Sequence, residues 1–554
     1  MQTETRMCST CSSEFRIEPD DFGFYERMGV PAPKICPECR FVRRAQFRNE
    51  TTLYSRKCDL CKKAIVSMYN PKAPYTVYCR ECFESDSWDP YEFGMDYDPD
   101  RPFFAQLKEL SHKVPKTCLY NDRNNPNVRS DYINLAGENK DCYLIFNSSK
   151  SENAMYSRGL RSCRDVADIY FGVQGEFCYE GVNVQESSSI AFGQDVSGSL
   201  DCYMVSGVSG VQHCLACVNL RGQSYCYMNE RLSKEEYAAK LDTVRGSHYA
   251  TQELQEEFEK WSLRFPRREN RNLKTVNSYG NYLVESKNLF QCFEATSCED
   301  CKYCFSTLNL KDSYDCIGFG AGAEMLLECV AVGRSQKVLG CYAVENSTNT
   351  EYSLQLSSSK DCFGCDGLKN GEYVILNKRY SKEEFVALRE KIVQSLIAGG
   401  EYGSYFPPEM SLFAYNECIT QVEYPQKKEE ALARGYRWED EIQMTTGKET
   451  MKTEAIPDNI KDVPDSIIEE VLPCVGCKRN YRIIPAELAL YRKMIVPLPR
   501  NCFYCRHRAR IGKRGPLKVF DRTCAKCSKS IKTSYAPERP EVVYCEECYQ
   551  REVL

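Results

Sequence analysis

Between about residues 115 and 378 the apolar positions carry no helical period. Short aromatic, aliphatic and cysteine-containing strings recur instead, among them NKDCYLIF, SLDCYMV, HCLACVNL, LFQCF, KYCFSTL, YDCIGF, LECVAV, LGCYAV and KDCFGC. Their cysteines keep a register. Cys118, Cys142, Cys178, Cys202, Cys214 and Cys226 lie mostly multiples of twelve apart, and Cys292, Cys304, Cys316, Cys329 and Cys341 step by 12, 12, 13 and 12. A short strand followed by a polar turn of Ser, Asn, Asp and Gly fills such a period, which predicts a parallel β-solenoid whose strands stack on their equivalents in the next coil. A coil of about 24 residues with two main strands is the expectation, and a tight 12-residue coil stays open because Cys and Ser are small enough for its interior.

The period is interrupted and then resumes. Residues 214–237, CLACVNLRGQSYCYMNERLSKEEY, match residues 362–385, CFGCDGLKNGEYVILNKRYSKEEF, at a displacement of 148. In both copies S-K-E-E has capping-box spacing, Ser233 to Glu236 and Ser381 to Glu384, so each begins a helix that would cover the open end of a solenoid half. Helical periodicity returns over residues 251–265, which read as an amphipathic helix inserted between the halves, and again near 427–434. The stretch 400–470, rich in Pro, Glu and Lys, reads as a partly flexible tether. Residues 88–104, acidic and aromatic, read as a segment packing the N-terminal module onto the solenoid.

The two ends have a different grammar. Cys8, Cys11, Cys36 and Cys39 form one quartet of C-x2-C pairs, and Cys58, Cys61, Cys79 and Cys82 a second. Cys474, Cys477, Cys502 and Cys505, then Cys524, Cys527, Cys545 and Cys548, repeat both quartets at a displacement of 466. The residues between agree as well: Phe15-Arg16-Ile17 with Tyr481-Arg482-Ile483, Tyr25 with Tyr491, Val30-Pro31 with Val496-Pro497, and Val77-Tyr78 with Val543-Tyr544. Four thiolates per quartet suit a closed tetrahedral Zn2+ site with no open position for chemistry, so four zinc ions are expected, paired sequentially within each quartet.

The stretch FGFYERMGVPAPKICPECRFVRR resembles a small family of zinc-ribbon domains, whose hallmark is an FY and G-x-P element leading to CPECR. The whole chain, including FPPEMSLFAYNE, KKEEALARGYRW, DVPDSIIEEVL and SYAPERPEVVYCEECY, resembles a group of uncharacterised cysteine-rich bacterial zinc-ribbon proteins with the same order of parts. The resemblance implies zinc ribbons and a cytoplasmic protein, and brings no activity with it.

The predicted organisation is therefore a tandem zinc-ribbon module over residues 1–100, a first solenoid half over 115–230, a helical cap and insert over 231–270, and a second half over 271–379. A helix and tether over 380–470 and a second tandem module over 471–554 complete it. The fold class is mainly β, with short capping helices.

Composition sharpens this reading. The 554 residues include 34 Cys and only 4 His, and carry a formal charge of -5. That average conceals polarity: residues 1–82 hold 14 basic and 10 acidic side chains, residues 83–473 hold 41 and 61, and residues 474–554 hold 18 and 7. No apolar run approaches a membrane span and no secretory leader is visible at the N-terminus, so a cytosolic protein without a membrane partner is expected. In a reducing compartment, closely paired cysteines favour metal over disulfides. The histidines, His112, His213, His248 and His507, leave little for His-dependent catalysis.

The 18 cysteines outside the quartets read as small core residues,. A sharper alternative is that Cys298, Cys301 and Cys304, a C-x2-C-x2-C run, hold an iron–sulfur cluster or another metal.

Basic clusters on zinc-stapled ends suggest contact with phosphate backbones. The candidates are Arg40, Arg43, Arg44 and Arg48 at one end and Arg506, Arg508, Arg510, Lys513, Arg514, Lys518 and Arg522 at the other,. The expected function is a non-enzymatic zinc scaffold contacting RNA or a ribonucleoprotein, possible ribosome contact included. The alternatives are a protein-interaction or assembly scaffold using the acidic solenoid, or the basic ends docking on the chain's own acidic middle. A glycan-acting enzyme is the third class, with Asp131, Asp141, Asp165, Asp168, Asp201, Asp312 and Asp315 available, but K-D-C and Y-D-C place most of these in turns.

Overall fold

The computed structural model describes residues 2–442 and 444–553. It is mainly β, dominated by two long parallel sheets, one of eleven strands and one of nine. In the first, Glu176 pairs with Ser188, Ser188 with Leu200, Leu200 with Gln212 and Gln212 with Ser224. In the second, Glu324 pairs with Gln336, Gln336 with Thr348, Thr348 with Lys360 and Lys360 with Glu372. The step between paired residues is twelve, so the 24-residue expectation does not hold. Where the sequence inserts one residue, between Cys316 and Cys329, the Ser313 hydroxyl accepts the Leu326 N–H thirteen residues on, and the pairing of Glu324 with Gln336 is back at twelve.

The backbone explains why so short a step closes. Left-handed φ recurs at every third residue, as at Leu135, Glu138, Asp141, Leu144, Asn147, Lys150, Asn153 and Tyr156. Each such residue bends the chain, and residues twelve apart pair in parallel. The left-handed region is unfavourable for most side chains and easiest for Asn, Asp and Gly, which accounts for the polar turns in the sequence.

Corners at every third residue impose an inward position at every third residue. Cys142, Ile145, Ser148, Ser151, Ala154, Ser157, Leu160, Cys163 and Val166 are all buried. Small residues, Cys, Ser and Ala, recur at these buried positions beside Ile, Leu and Val. Polarity inside is satisfied in a repeated way. Ser148 Oγ donates to the Phe146 carbonyl at 2.8 Å and accepts the Leu160 N–H, one step on, at 3.0 Å. Ser151 and Ser187 repeat the motif against Cys163 and Ser199. Inward cysteines donate similarly: Cys292 Sγ reaches the carbonyls of Phe290 and Cys301 at 3.6 and 3.4 Å. Side chains thus meet backbone groups that would otherwise be buried without a partner, the usual requirement of an interior.

Both capping boxes form. Ser233 caps helix Lys234–Asp242, which packs against the last parallel strand of the first sheet, and Ser381 caps helix Lys382–Ala398, which packs against that of the second. The amphipathic insert is helix His248–Ser262, burying Leu254 and Phe258. A short helix, Lys428–Ala433, lies near its expected place. The stretch read as a tether is packed at its start: Tyr405, Phe406, Leu412, Phe413 and Tyr415 are buried. Among the described residues no helix is long and apolar enough to cross a membrane.

The end modules dock crosswise. The N-terminal module lies on the second sheet, where helix Pro37–Ala45 packs against the long strand Phe305–Gly333. The segment that follows reaches the end of the same sheet, with the Met95 N–H bonded to the Leu376 carbonyl. The C-terminal module lies on the first sheet, where helix Phe503–Arg514 packs against strands Arg164–Val173 and Glu176–Gln185. Short parallel pairings complete the arrangement, Val77–Tyr78 with Lys116–Thr117 and Val543–Tyr544 with Arg267–Arg268.

Candidate metal centres

Each quartet is built the same way. A hairpin supplies the first C-x2-C pair on a tight turn, and the second pair opens a helix. Cys36 is the residue before helix Pro37–Ala45, Cys79 precedes Arg80–Glu84, Cys502 precedes Phe503–Arg514, and Cys545 precedes Glu546–Val553. The four Sγ atoms of each quartet lie within 4.8 Å of one another, so each group could hold a metal ion. The quartets are sequential: 8/11/36/39, 58/61/79/82, 474/477/502/505 and 524/527/545/548. Within each quartet, the Sγ–Sγ distance between its two C-x2-C pairs is 3.7 Å for Cys11–Cys36, 3.8 Å for Cys61–Cys79, 3.6 Å for Cys477–Cys502 and 3.7 Å for Cys527–Cys545.

Backbone N–H groups point at the sulfurs. Cys36 N–H meets Cys8 Sγ at 3.3 Å, and the equivalent bonds join Cys79 to Cys58 at 3.2 Å, Cys502 to Cys474 at 3.2 Å and Cys545 to Cys524 at 3.3 Å. Such donors favour thiolate, the ligating form. Burial raises the Cys58 and Cys524 thiols, but these donors outweigh it and bring both down to about 6. Cys36 falls to about 5, first through the Cys39 side chain.

The run Cys298, Cys301 and Cys304 occupies three consecutive inward positions. Among the described residues it forms no compact ligand group of the kind the quartets form. Its thiols donate to carbonyls instead: Cys298 to Thr296, Cys301 to Glu299 and Leu310, and Cys304 to Lys302 and Ser313. The spacing that looked like a ligand motif is the three-residue inward period.

The basic residues separate into two sets. Arg40, Arg44, Arg506, Arg510 and Arg514 are buried in ion pairs with the acidic middle, and Arg48 is buried against Glu50 of its own module, which corrects their expected place on a free phosphate-binding surface. Arg40 meets Asp315 at 3.0 Å and Glu328 at 3.7 Å, and Arg44 meets Asp315 at 2.8 Å and also pairs with Glu328. In the other module Arg506 meets Asp168 at 3.0 Å, and Arg510 meets Asp168 at 2.8 Å and Glu180 at 3.1 Å. Arg48 and Arg514 enter a shared hub. Glu50 binds Arg48 at 2.6 Å and Arg158 at 2.7 Å, and Glu294 binds Arg158 at 2.7 Å and Arg514 at 3.3 Å.

Geometry makes this a matched pair of columns. The arginines recur every four residues, Arg40 and Arg44 on helix Pro37–Ala45 and Arg506, Arg510 and Arg514 on helix Phe503–Arg514, stacking on one helix face with a rise of about 6 Å,. Asp168, Glu180, Asp315 and Glu328 all sit at left-handed corners, so they project outward one step above another. Strand spacing of about 4.8 Å brings successive carboxylates level with successive arginines. The signal was present in the sequence as arginines four apart at one end and carboxylates twelve apart in the middle. Burial raises Glu328 even against Arg44. Glu50 is also buried, yet Arg158 and Arg48 hold it down to about 2.

The remaining basic candidates are differently placed. Arg508, Lys513 and Lys518 are exposed and Arg43 is half-buried. Arg522 is half-buried and donates to the carbonyls of Ala536 and Glu541. The aspartates considered for glycan chemistry are dispersed: Asp168 and Asp315 lie in the buried columns, Asp141 pairs with Arg129, Asp201 with His213 and Asp312 with Arg27, and Asp165 accepts from Asn153.

No family model and no curated protein matches the chain. Among solved structures, one similar chain is described as "putative acetyltransferase from Desulfovibrio desulfuricans G20". It is 9% identical, covering 49% of this chain and 72% of that chain with a TM-score of 0.11. At that score the likeness carries no argument.

Proposed function

We propose that the chain is a non-catalytic, zinc-stabilised scaffold: two tight four-sided β-solenoids of twelve residues per turn, each clamped by zinc ribbons supplied from the opposite end of the chain. The crossed arginine columns carry this reading. A helix that buries three guanidiniums against its own chain uses its basic face for assembly, and favours the scaffold and self-docking alternatives over a phosphate-binding role for those residues. Zinc is favoured by the donor set. A tetrahedron with Zn–S bonds of about 2.3 Å has edges of about 3.8 Å, close to the Sγ separations given above. Four thiolates leave no open position for substrate, so zinc acts by fixing the turn that launches each helix. Every cysteine is free, which suits a reducing compartment such as the cytosol,.

RNA contact stands as a second reading because Arg508, Lys513 and Lys518 keep the C-terminal module's surface basic. The experiment is metal analysis of the full chain together with RNA titration at two salt concentrations. About four zinc per chain, with little RNA affinity, supports the scaffold. Salt-sensitive RNA binding lost on replacing Arg508, Lys513 and Lys518 would transfer the proposal to RNA. Far fewer zinc ions would remove the clamps.

A further inference from the structure

The duplication supplies an internal control: a feature present beside one sheet and absent beside the other is not required by the fold. One cavity passes this test. It lies beside the first sheet, under helix Lys234–Asp242, and has a volume of about 120 Å³. That is room for about four waters or a short organic molecule.

Two cations face it, Arg245 and Lys493. Among the described residues neither forms an ion pair with a carboxylate. Arg245 donates Nε and one Nη to the Met494 carbonyl at 3.2 Å, leaving its other Nη uncommitted, and Lys493 lies 3.7 Å from the centre of the Phe177 ring. Tyr237 is also among the residues of the wall, and among the described residues its buried hydroxyl has no hydrogen-bond partner. A buried hydroxyl left unpaired is unfavourable and calls for an acceptor. The one carboxylate in the wall, Asp201, is engaged with His213 Nδ1 at 2.9 Å.

The second half, displaced by 148, carries different residues at the equivalent positions. Tyr203 and Leu241 become Glu351 and Arg389, and Arg245 and Tyr237 become Val393 and Phe385. There the Glu351 carboxylate accepts from Arg389 Nε at 2.7 Å and from the Tyr402 hydroxyl at 2.9 Å. One half thus carries its own carboxylate with an arginine and a tyrosyl hydroxyl. The other presents an arginine, a lysine and a tyrosyl hydroxyl around a space with no free carboxylate.

We propose that this cavity is a binding site for a small organic acid, whose carboxylate is held by Arg245, Lys493 and the Tyr237 hydroxyl over an aromatic floor that includes Phe177. Charge-assisted donors of this kind discriminate sharply against a neutral isostere. The site's residues belong to the first half, where Arg245 comes from the segment after helix Lys234–Asp242 and Lys493 from the C-terminal module.

The test is calorimetric titration of the metal-loaded full chain with acetate, propionate, succinate and glycine, with propionamide and inorganic phosphate as comparators. At least one acid binds and propionamide does not. Replacing Arg245 or Lys493 by Ala weakens that acid about tenfold. Tyr237→Phe, which copies the residue of the second half and so tests the hydroxyl without disturbing packing, also weakens it while the melting temperature holds. Absence of binding by every acid, affinity unchanged in all three variants, or phosphate binding more tightly than any acid would each overturn the proposal.

Discussion

Replacing Arg44 by Met is expected to loosen the N-terminal module while leaving the parallel sheets intact. Arg44 is fully buried and spans two carboxylates, Asp315 and Glu328, with Arg40 alone remaining when it is removed. Met fills much of the volume but leaves carboxylate charge in a dry site, which costs about 3–5 kcal/mol when one partner of a buried ion pair is lost. Because Glu328 is already raised by burial, the variant relieves itself by protonating. In the variant the folded carboxyl titrates above its unfolded value, so the folded state binds more protons. The deficit relative to the parent therefore shrinks as pH falls toward the carboxylate range and is largest at neutral pH. Adding Glu328→Gln removes the stranded charge and restores most of the loss. The assay is urea unfolding at pH 7 and pH 5, read in parallel by protease cleavage within residues 1–82. Arg44→Met within about 0.5 kcal/mol of the parent at pH 7, with unchanged cleavage, would refute the reasoning that these pairs hold the module.

Two further changes test other parts of the structure. Glu50, held near 2 against an ordinary value of 4.5, contributes stability that is present above 4.5 and lost as pH falls toward 2, about 3 kcal/mol at most,; Glu50→Gln should flatten that part of the acid unfolding profile, and an unchanged slope would argue against the hub. Gly280 sits where an added Cβ would lie 1.8 Å from the Cys292 carbonyl oxygen, with φ of +157°, so Gly280→Ala should lower the melting temperature of the second half sharply, and an unchanged melt would contradict the close approach of these two steps.

Much of this architecture was readable from residues. The C-x2-C spacing and the 466-residue displacement identified the quartets, because ligands must come in fours at hairpin distance. The cysteine register identified parallel stacking. The three-residue inward period escaped because its occupants are mixed: Ser148, Ser151, Ala154 and Ser157 do not stand out as a core in a hydropathy pattern, and the three serine hydroxyls bond the backbone. The same oversight made Cys298, Cys301 and Cys304 look like a ligand run. The arginines were misplaced for an electrostatic reason. Separation of sign along a sequence is equally consistent with attracting an external polyanion and with docking on the chain itself, and only the match of helix rise to strand spacing distinguishes them. Asp168 and Asp315 lie within strands Arg164–Val173 and Phe305–Gly333, at left-handed positions that aim them at Arg510 and Arg44.

The central claim, that metal-fixed helices clamp the parallel sheet of the opposite half, is tested most directly by amide hydrogen exchange on the full chain before and after zinc is stripped with a chelator. Protection as strong in Pro37–Ala45 and Phe503–Arg514 as in the parallel strands, lost from both helices on stripping while the inner strands stay protected, is the predicted result. Helices that exchange freely with zinc bound, or that keep their protection without it, would contradict the account.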